Sequence, residues 1–198
     1  MKTLAWTFVL AAGCAAQQAP APTSGDPGTN SGSPGSGPAS PARLAINLTD
    51  APATFDSVFV TISTVEIENS ADGTWTTLAD TPQKFDLLTL QNGATALLGG
   101  NDLAAGSYGQ LRLLVDSASV VSGGVESPLT IASGAQTGIK LDLDATVEDG
   151  NTYSLVIDYN AGQSIKQTGM GYLMAPVITV KSFTGTATDA GSGSGSGG

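Results

Sequence analysis

Between Arg43 and Val180, apolar residues fall on every second position in one run after another. Leu44, Ile46 and Leu48 alternate with Ala45, Asn47 and Thr49, the period of a strand with one buried face. Asp50-Ala51-Pro52-Ala53 stops that run. Val58, Val60 and Ile62 then share a face, after which Val65 and Ile67 take the opposite parity. A parity change inside one continuous strand predicts a bulge near Ser63-Thr64. Asp72-Gly73 is a turn signal, with Trp75 and Leu78 behind it. Phe85 to Leu90 is a short apolar segment closed by Asn92-Gly93, and Ala94 to Leu98 is the one stretch that reads as a helical turn.

A second group follows the same rule. Ala104-Ala105-Gly106-Ser107-Tyr108 turns the chain into Leu111, Leu113 and Val115, with Arg112 and Asp116 pointing the other way. Leu129 and Ile131 lie between Gly123-Gly124 and Ser133-Gly134. Ile139, Leu141 and Leu143 alternate with Lys140, Asp142 and Asp144, and Asp149-Gly150 leads to Tyr153, Leu155, Ile157 and Tyr159. The last run, Tyr172 to Val180, contains Pro176, which places it at an edge or a bulge. About eight or nine strands without a long helical period predict an all-β fold, a two-sheet antiparallel β-sandwich.

Several phrases carry a resemblance. They are Leu48-Thr49-Asp50-Ala51-Pro52-Ala53, Phe85-Asp86-Leu87-Leu88-Thr89-Leu90-Gln91-Asn92-Gly93, Ala105-Gly106-Ser107-Tyr108, Leu111-Arg112-Leu113, Ser133 to Leu141, and Leu155-Val156-Ile157-Asp158-Tyr159. In this order and spacing the chain resembles the domain of unknown function 4382 family of bacterial and archaeal envelope proteins, over nearly all of Arg43 to Val180. The resemblance implies an envelope or secreted location, often through a lipid anchor, and a transthyretin-like or carbohydrate-binding-like sandwich. It supplies no reaction, ligand or catalytic residue.

The N-terminus has a different pattern. Lys2 is followed by an apolar stretch, Leu4 to Ala12, and then by Gly13 and the only cysteine, Cys14. A membrane span needs roughly 20 apolar residues, more than twice what is present. The pattern reads as a lipoprotein signal over residues 1–13, with Cys14 as the lipidated residue. An ordinary secretory signal, cleaved after small residues, and a buried structural cysteine are the rival readings. Residues 14–42 hold Gly, Ser and Pro without apolar periodicity, so they cannot offset the entropy of ordering. As a coil, such a tether reaches roughly 30 Å. The predicted organisation is therefore a signal (1–13), an anchored tether (14–42), a β-sandwich (43–184) and a Gly/Ser tail (185–198).

Charge and residue usage narrow the chemistry. The chain carries 7 Lys+Arg against 17 Asp+Glu and no histidine. An acidic domain argues against nucleic acid as a partner, since phosphate binding needs clustered cations. Without histidine there is no Ser-His-Asp triad, no His-ligated zinc and no histidine base. A carboxylate pair such as Asp142 and Asp144, roughly 6–7 Å apart along one strand face, is within the range a glycosidase uses. Alternating outward charges are also the ordinary pattern of a solvated sheet. Asp142, Asp144, Glu148 and Asp149 form the densest acidic group, a weak calcium candidate without the EF-hand spacing. No other metal and no cofactor is expected.

Among the aromatics, Tyr153 and Tyr159 share parity with core residues. Trp75 follows a hairpin tip and Tyr108 sits at a turn-to-strand corner, which makes them the candidate ligand-binding rings. The competing roles are core packing for Trp75 and a hydroxyl-to-backbone bond for Tyr108. Arg112 between leucines suggests a half-buried ion pair, with Asp86 the expected partner. The leading expectation is a lipid-anchored, non-catalytic module at the outer membrane or cell surface that binds glycan or an envelope protein, or serves a structural role. A secreted form, a carboxylate-dependent envelope hydrolase and a self-assembling surface module are the alternatives. Cys14→Ala is expected to move the protein from the membrane fraction to a soluble or unprocessed pool and to abolish palmitate labelling. Labelling that persists in the variant would contradict the anchor.

Overall fold

The structure, a computed structural model, describes residues 40–132, 138–169 and 171–187. In chain order the strands are β1 (Ala42–Thr49), β2 (Ser57–Asn69), β3 (Trp75–Ala79), β4 (Gln83–Asp86), β5 (Ala96–Leu103) and β6 (Gly106–Ser122). They continue with β7 (Val125–Ile131), β8 (Ile139–Val147), β9 (Asn151–Tyr159), β10 (Ile165–Thr168), β11 (Gly171–Met174) and β12 (Ile178–Ala187). A 3-10 turn spans Leu87–Leu90 and one helical turn, α1, spans Ala161–Ser164.

Two sheets result, as the alternation predicts. The smaller has the order β12-β9-β1-β5. The larger runs β10-β11-β7-β6-β2-β3, with β4 also on β2 and β8 also on β6. The described residues hold twelve strands, more than the sequence count, because Ala94 to Leu98 reads as a helical turn and not as the start of β5, β10 is too short to show a period, and the run from Tyr172 to Val180 divides into β11 and β12. Two pairs, β1 with β9 and β11 with β7, are parallel rather than antiparallel. Periodicity reports which face a residue occupies, not the direction of its neighbour.

The core lies between the sheets. Leu44, Ile46 and Leu48 of β1 and Leu155 and Ile157 of β9 are buried from one side; Val58, Val60, Ile62, Val65 and Ile67 of β2 and Leu111 and Leu113 of β6 from the other. Each such side chain contributes about 1.5–3 kcal/mol by leaving water. The expected bulge is present: the β2–β6 register shifts between Thr61/Ile62 and Ile62/Thr64. The shift lets Ile62 and Val65 both reach the core although their spacing is odd.

Chain reversals follow their residues. Gly123 and Gly124 close the β6–β7 hairpin with φ of 59° and 76°, angles that a two-residue turn demands and a side chain resists. The helical turn expected at Ala94 to Leu98 is not there, since β5 begins at Ala96. It lies at Leu87–Leu90 instead, where the Asp86 carboxylate accepts from Leu88 N at 3.2 Å as an N-cap. The run from Tyr172 to Val180 is broken around Pro176 into β11 and β12, which belong to different sheets. Proline cannot donate to a ladder, so the chain uses it to cross between layers.

The strands extend slightly beyond the expected sandwich, since β1 starts at Ala42 and β12 ends at Ala187. Cys14, the tether up to residue 39 and the tail from residue 188 lie outside the described residues. Among the described residues no helix is long and apolar enough to cross a membrane. A fragment of residues 40–187 is expected to fold alone, with a β-type circular dichroism spectrum and one cooperative transition. It contains no cysteine, so reductant should leave its Tm unchanged. Leu155→Ala should destabilise it by about 2–5 kcal/mol in urea unfolding. A largely helical spectrum, or an unfolding curve unchanged in the variant, would contradict this arrangement.

Candidate functional site

Trp75 opens β3, a strand that hydrogen-bonds to β2 at the edge of the larger sheet. Across the ladder Trp75 faces Glu68, while Glu66 faces Arg112 and Arg112 faces Lys140. All are half-buried or exposed, so they lie on the solvent face. The Arg112 guanidinium carbon sits 4.4 Å from the Trp75 ring centroid, and Lys140 Nζ lies at 5.7 Å. Such contacts attract through the ring quadrupole. Arg112 also grips Glu66, with Nη2–Oε2 at 2.5 Å and its Nε donating to Oε2 at 2.7 Å. Gly138 lies against the arginine stem, where a Cβ would come within 2.5 Å of Arg112 Cγ. Its φ of +80° favours glycine as well.

The ion pair expected for Arg112 exists, but with Glu66 and not with Asp86. Strand register decides the difference. Glu66 is directly opposite Arg112, whereas Asp86 pairs with Phe59 further along β2. Asp86 is occupied as a cap, accepting from Val58 N at 3.3 Å and Leu88 N at 3.2 Å.

Tyr108 has its ring buried and its hydroxyl donating to Ala104 O at 3.0 Å, the corner role weighed for it. Burial pushes its pKa up. A ring in that position has no free face for stacking, which leaves Trp75 as the accessible candidate. Tyr153 and Tyr159 are in the core; Tyr153 stacks on Phe183 at 5.2 Å, and the Tyr159 hydroxyl donates to Met174 Sδ at 3.1 Å.

The acidic group does not converge. Asp142 and Asp144 stand exposed on β8, and Asp142 accepts a 3.4 Å bond from Gln110 Nε2. Asp149 is exposed in the turn that follows β8, and Glu148 accepts from Asn151 Nδ2 at 3.4 Å. Among the described residues, no three acidic, histidine or cysteine side chains gather where they could hold a metal ion.

Sequence reasoning underrated Asp50. It sits 3% exposed where three of the family-like phrases meet. Its N–H donates to Leu90 O at 3.0 Å, and the neighbouring Thr49 hydroxyl reaches Leu90 O at 2.9 Å. The Asp50 carboxylate accepts from Ala161 N at 2.9 Å and, more weakly, from Gln91 Nε2 at 3.5 Å. β1 is thereby tied to the 3-10 segment and to α1. Burial raises the carboxyl from an ordinary 3.8 to about 6; the hydrogen bonds oppose the rise and the charge of Asp158 adds to it. Asp158 has its Oδ1 buried without a hydrogen-bond partner and its Oδ2 at 3.8 Å from Lys181 Nζ. Tyr159 is pushed upward by burial first and by Asp50 second. An acid placed directly after a buried strand end, in Leu48-Thr49-Asp50, is the only signal in the sequence that marks this clasp.

A carboxyl whose folded-state pKa is raised destabilises the fold most when it is ionised. The cost is fully present above pH 6 and disappears below about 4, and it amounts to about 3 kcal/mol at most. Asp50→Asn keeps an acceptor for Ala161 and removes the charge. It should raise stability by about 1–3 kcal/mol at pH 7.5, with the gain shrinking toward pH 4 in parallel urea titrations. A gain of equal size at both pH values, or a loss at pH 7.5, would contradict the burial cost.

Comparison with known proteins gives a family and little more. A crystal structure of a candidate cell adhesion protein from Bacteroides eggerthii is similar at 14% identity and a TM-score of 0.35, covering 74% of this chain and 55% of that one. This chain thus spans about half the length of that protein, and the likeness is too loose to carry an argument. No curated protein matches. The family model described as Domain of unknown function (DUF4382) matches residues 41–176, from the start of β1 to the proline after β11. With most of the sandwich matched, the chain belongs to the domain of unknown function 4382 family.

Proposed function

We propose that this chain is a non-catalytic binding module of the cell envelope, held to the membrane through Cys14 and presenting the solvent face of its larger sheet to a glycan. The observation that supports the reading is Trp75: half-buried, on the outer face, and held by the Arg112 guanidinium against one side of its ring. A pyranose ring stacks its C–H face on an indole. Glu68, directly across from Trp75, and Gln110 and Asp142, further along the same ladder row, supply hydrogen-bonding groups for hydroxyls. The ring loses little entropy on binding because Arg112 already orients it. The tether would let the sandwich stand off the bilayer while its recognition face turns toward envelope polymers.

The hydrolase alternative needs two carboxylates facing a substrate with separated roles. The Asp50 carboxyl, whose pKa is strongly raised, is buried with its oxygens engaged. Asp142 and Asp144 stand exposed on one face of β8. Self-assembly through the long outer strand β12 is discouraged by the register shift between Val180 and Ser182, which leaves Lys181 at a bulge.

Titration with a panel of soluble envelope and plant polysaccharides, read by affinity electrophoresis and calorimetry, tests the proposal. At least one polymer should bind, Trp75→Ala should weaken it about tenfold or more, and the variant should keep the wild-type circular dichroism spectrum. Turnover of glycoside, ester or peptide substrates, or binding unchanged in Trp75→Ala, would overturn it.

A further inference from the structure

Arg112 on β6 and Lys140 on β8 stand directly opposite each other on the outer face of the larger sheet. Such cross-strand partners hold their Cβ atoms roughly 5 Å apart, and like charges in that relation repel. One counter-ion serves both. Glu66 Oε2 takes Arg112 Nη2 at 2.5 Å and Nε at 2.7 Å. Lys140 is exposed and in no ion pair among the described residues. Acids outnumber cations in this chain, 17 Asp+Glu against 7 Lys+Arg, so the missing second counter-ion is not a matter of supply. Residues 133–137, which lead into Gly138, carry no acid either.

Both cations bear on one ring. The Arg112 guanidinium carbon lies 4.4 Å from the Trp75 centroid and Lys140 Nζ lies 5.7 Å from it. Glu66 uses Nε and Nη2 of Arg112, which leaves the two N–H groups of Nη1 without a partner among the described residues. The ammonium of Lys140 adds three more donors. The acids nearest in register sit one ladder row away, roughly 6–7 Å along the strands. They are Glu68, opposite Trp75, and Asp142, which accepts from Gln110 Nε2 at 3.4 Å. The net charge of −10 is spread over the whole chain, and charges beyond about 8 Å are screened at physiological ionic strength. The local pair therefore decides the sign of the group that binds beside the ring. An anion there makes charge-assisted hydrogen bonds to both cations and relieves their repulsion.

We infer that the glycan taken by this face is acidic: a uronic acid residue stacks on Trp75, and its carboxylate bridges Arg112 Nη1 and Lys140 Nζ. The inference rests on the glycan reading above and narrows it to one substrate class. Lys140 is the residue that sets the specificity, because Arg112 is already held by Glu66 and serves neutral and acidic sugars alike as the support of the ring.

The test uses the full chain and calorimetry in the presence of EDTA, which removes divalent cations that can bridge one acid to another. Sodium polygalacturonate, alginate and hyaluronate are each compared with their own carboxyl-reduced, neutral form. At least one acidic polymer should bind ten times more tightly than its reduced form, or better. Lys140→Gln should remove about tenfold of that affinity, leave binding of the reduced form unchanged and keep the wild-type circular dichroism spectrum, while Lys140→Arg should retain the preference. On the unaltered chain, added salt should weaken the acidic polymer and not the reduced one. Equal affinity for an acidic polymer and its reduced form, with both lost in Trp75→Ala, would overturn the inference and leave the glycan reading in place. An acidic preference that survives Lys140→Gln, or dextran sulfate bound as tightly as the uronates, would also overturn it, since any polyanion would then suffice. Absence of binding by every polymer, acidic and neutral, would overturn both readings.

Discussion

The pairing of β2 with β6 is the constraint on which both faces of the sandwich depend. These are the two longest strands, and their bulged ladder fixes which residues turn inward. Ile62 and Val65 reach the core only because the register slips between them. The same ladder sets Glu66 opposite Arg112 on the outside, so the guanidinium lands on both Glu66 and the Trp75 ring. A one-residue slip would exchange the two faces, exposing the valines and burying the charges. Half-buried ion pairs add little net stability, since desolvation offsets attraction. Here the pair's effect is to penalise the wrong register.

Asp50 works at the other side of the same balance. Burying a carboxylate is unfavourable, and the fold retains one at the end of β1, beside a second acid, Asp158. What the carboxylate supplies is geometric: it receives the first N–H of α1, while its own backbone N–H holds Leu90. A strand end, a 3-10 turn and the exit from β9 are thereby gathered at one point. The clasp lowers stability at neutral pH in exchange for defined loops.

Much of this was legible in the chain. The alternation of Leu44, Ile46, Leu48 and of Leu155, Ile157 gave the buried faces, and the parity change at Ser63-Thr64 gave the bulge. Tyr108 was readable as a corner residue because a tyrosine after Ala-Gly-Ser has a backbone carbonyl within reach. Other features depend on which strands become neighbours, which periodicity does not encode. Arg112 found Glu66 rather than Asp86 for that reason, and the parallel pairing of β1 with β9 was equally invisible. Short elements failed differently. The capping carboxylate of Asp86 moved the helical turn several residues ahead of Ala94, and Pro176 divided what looked like one strand.

The central claim is that the solvent face of the larger sheet is a preorganised recognition surface. Chemical-shift mapping of the isotope-labelled protein, titrated with an oligosaccharide cut from a polymer that binds, tests it most directly. The account predicts the largest changes at the Trp75 indole N–H and at Glu68, Gln110 and Arg112, with the core amides of Leu155 and Ile157 unmoved. Changes confined to the smaller sheet, with the Trp75 indole unperturbed at saturation, would contradict it.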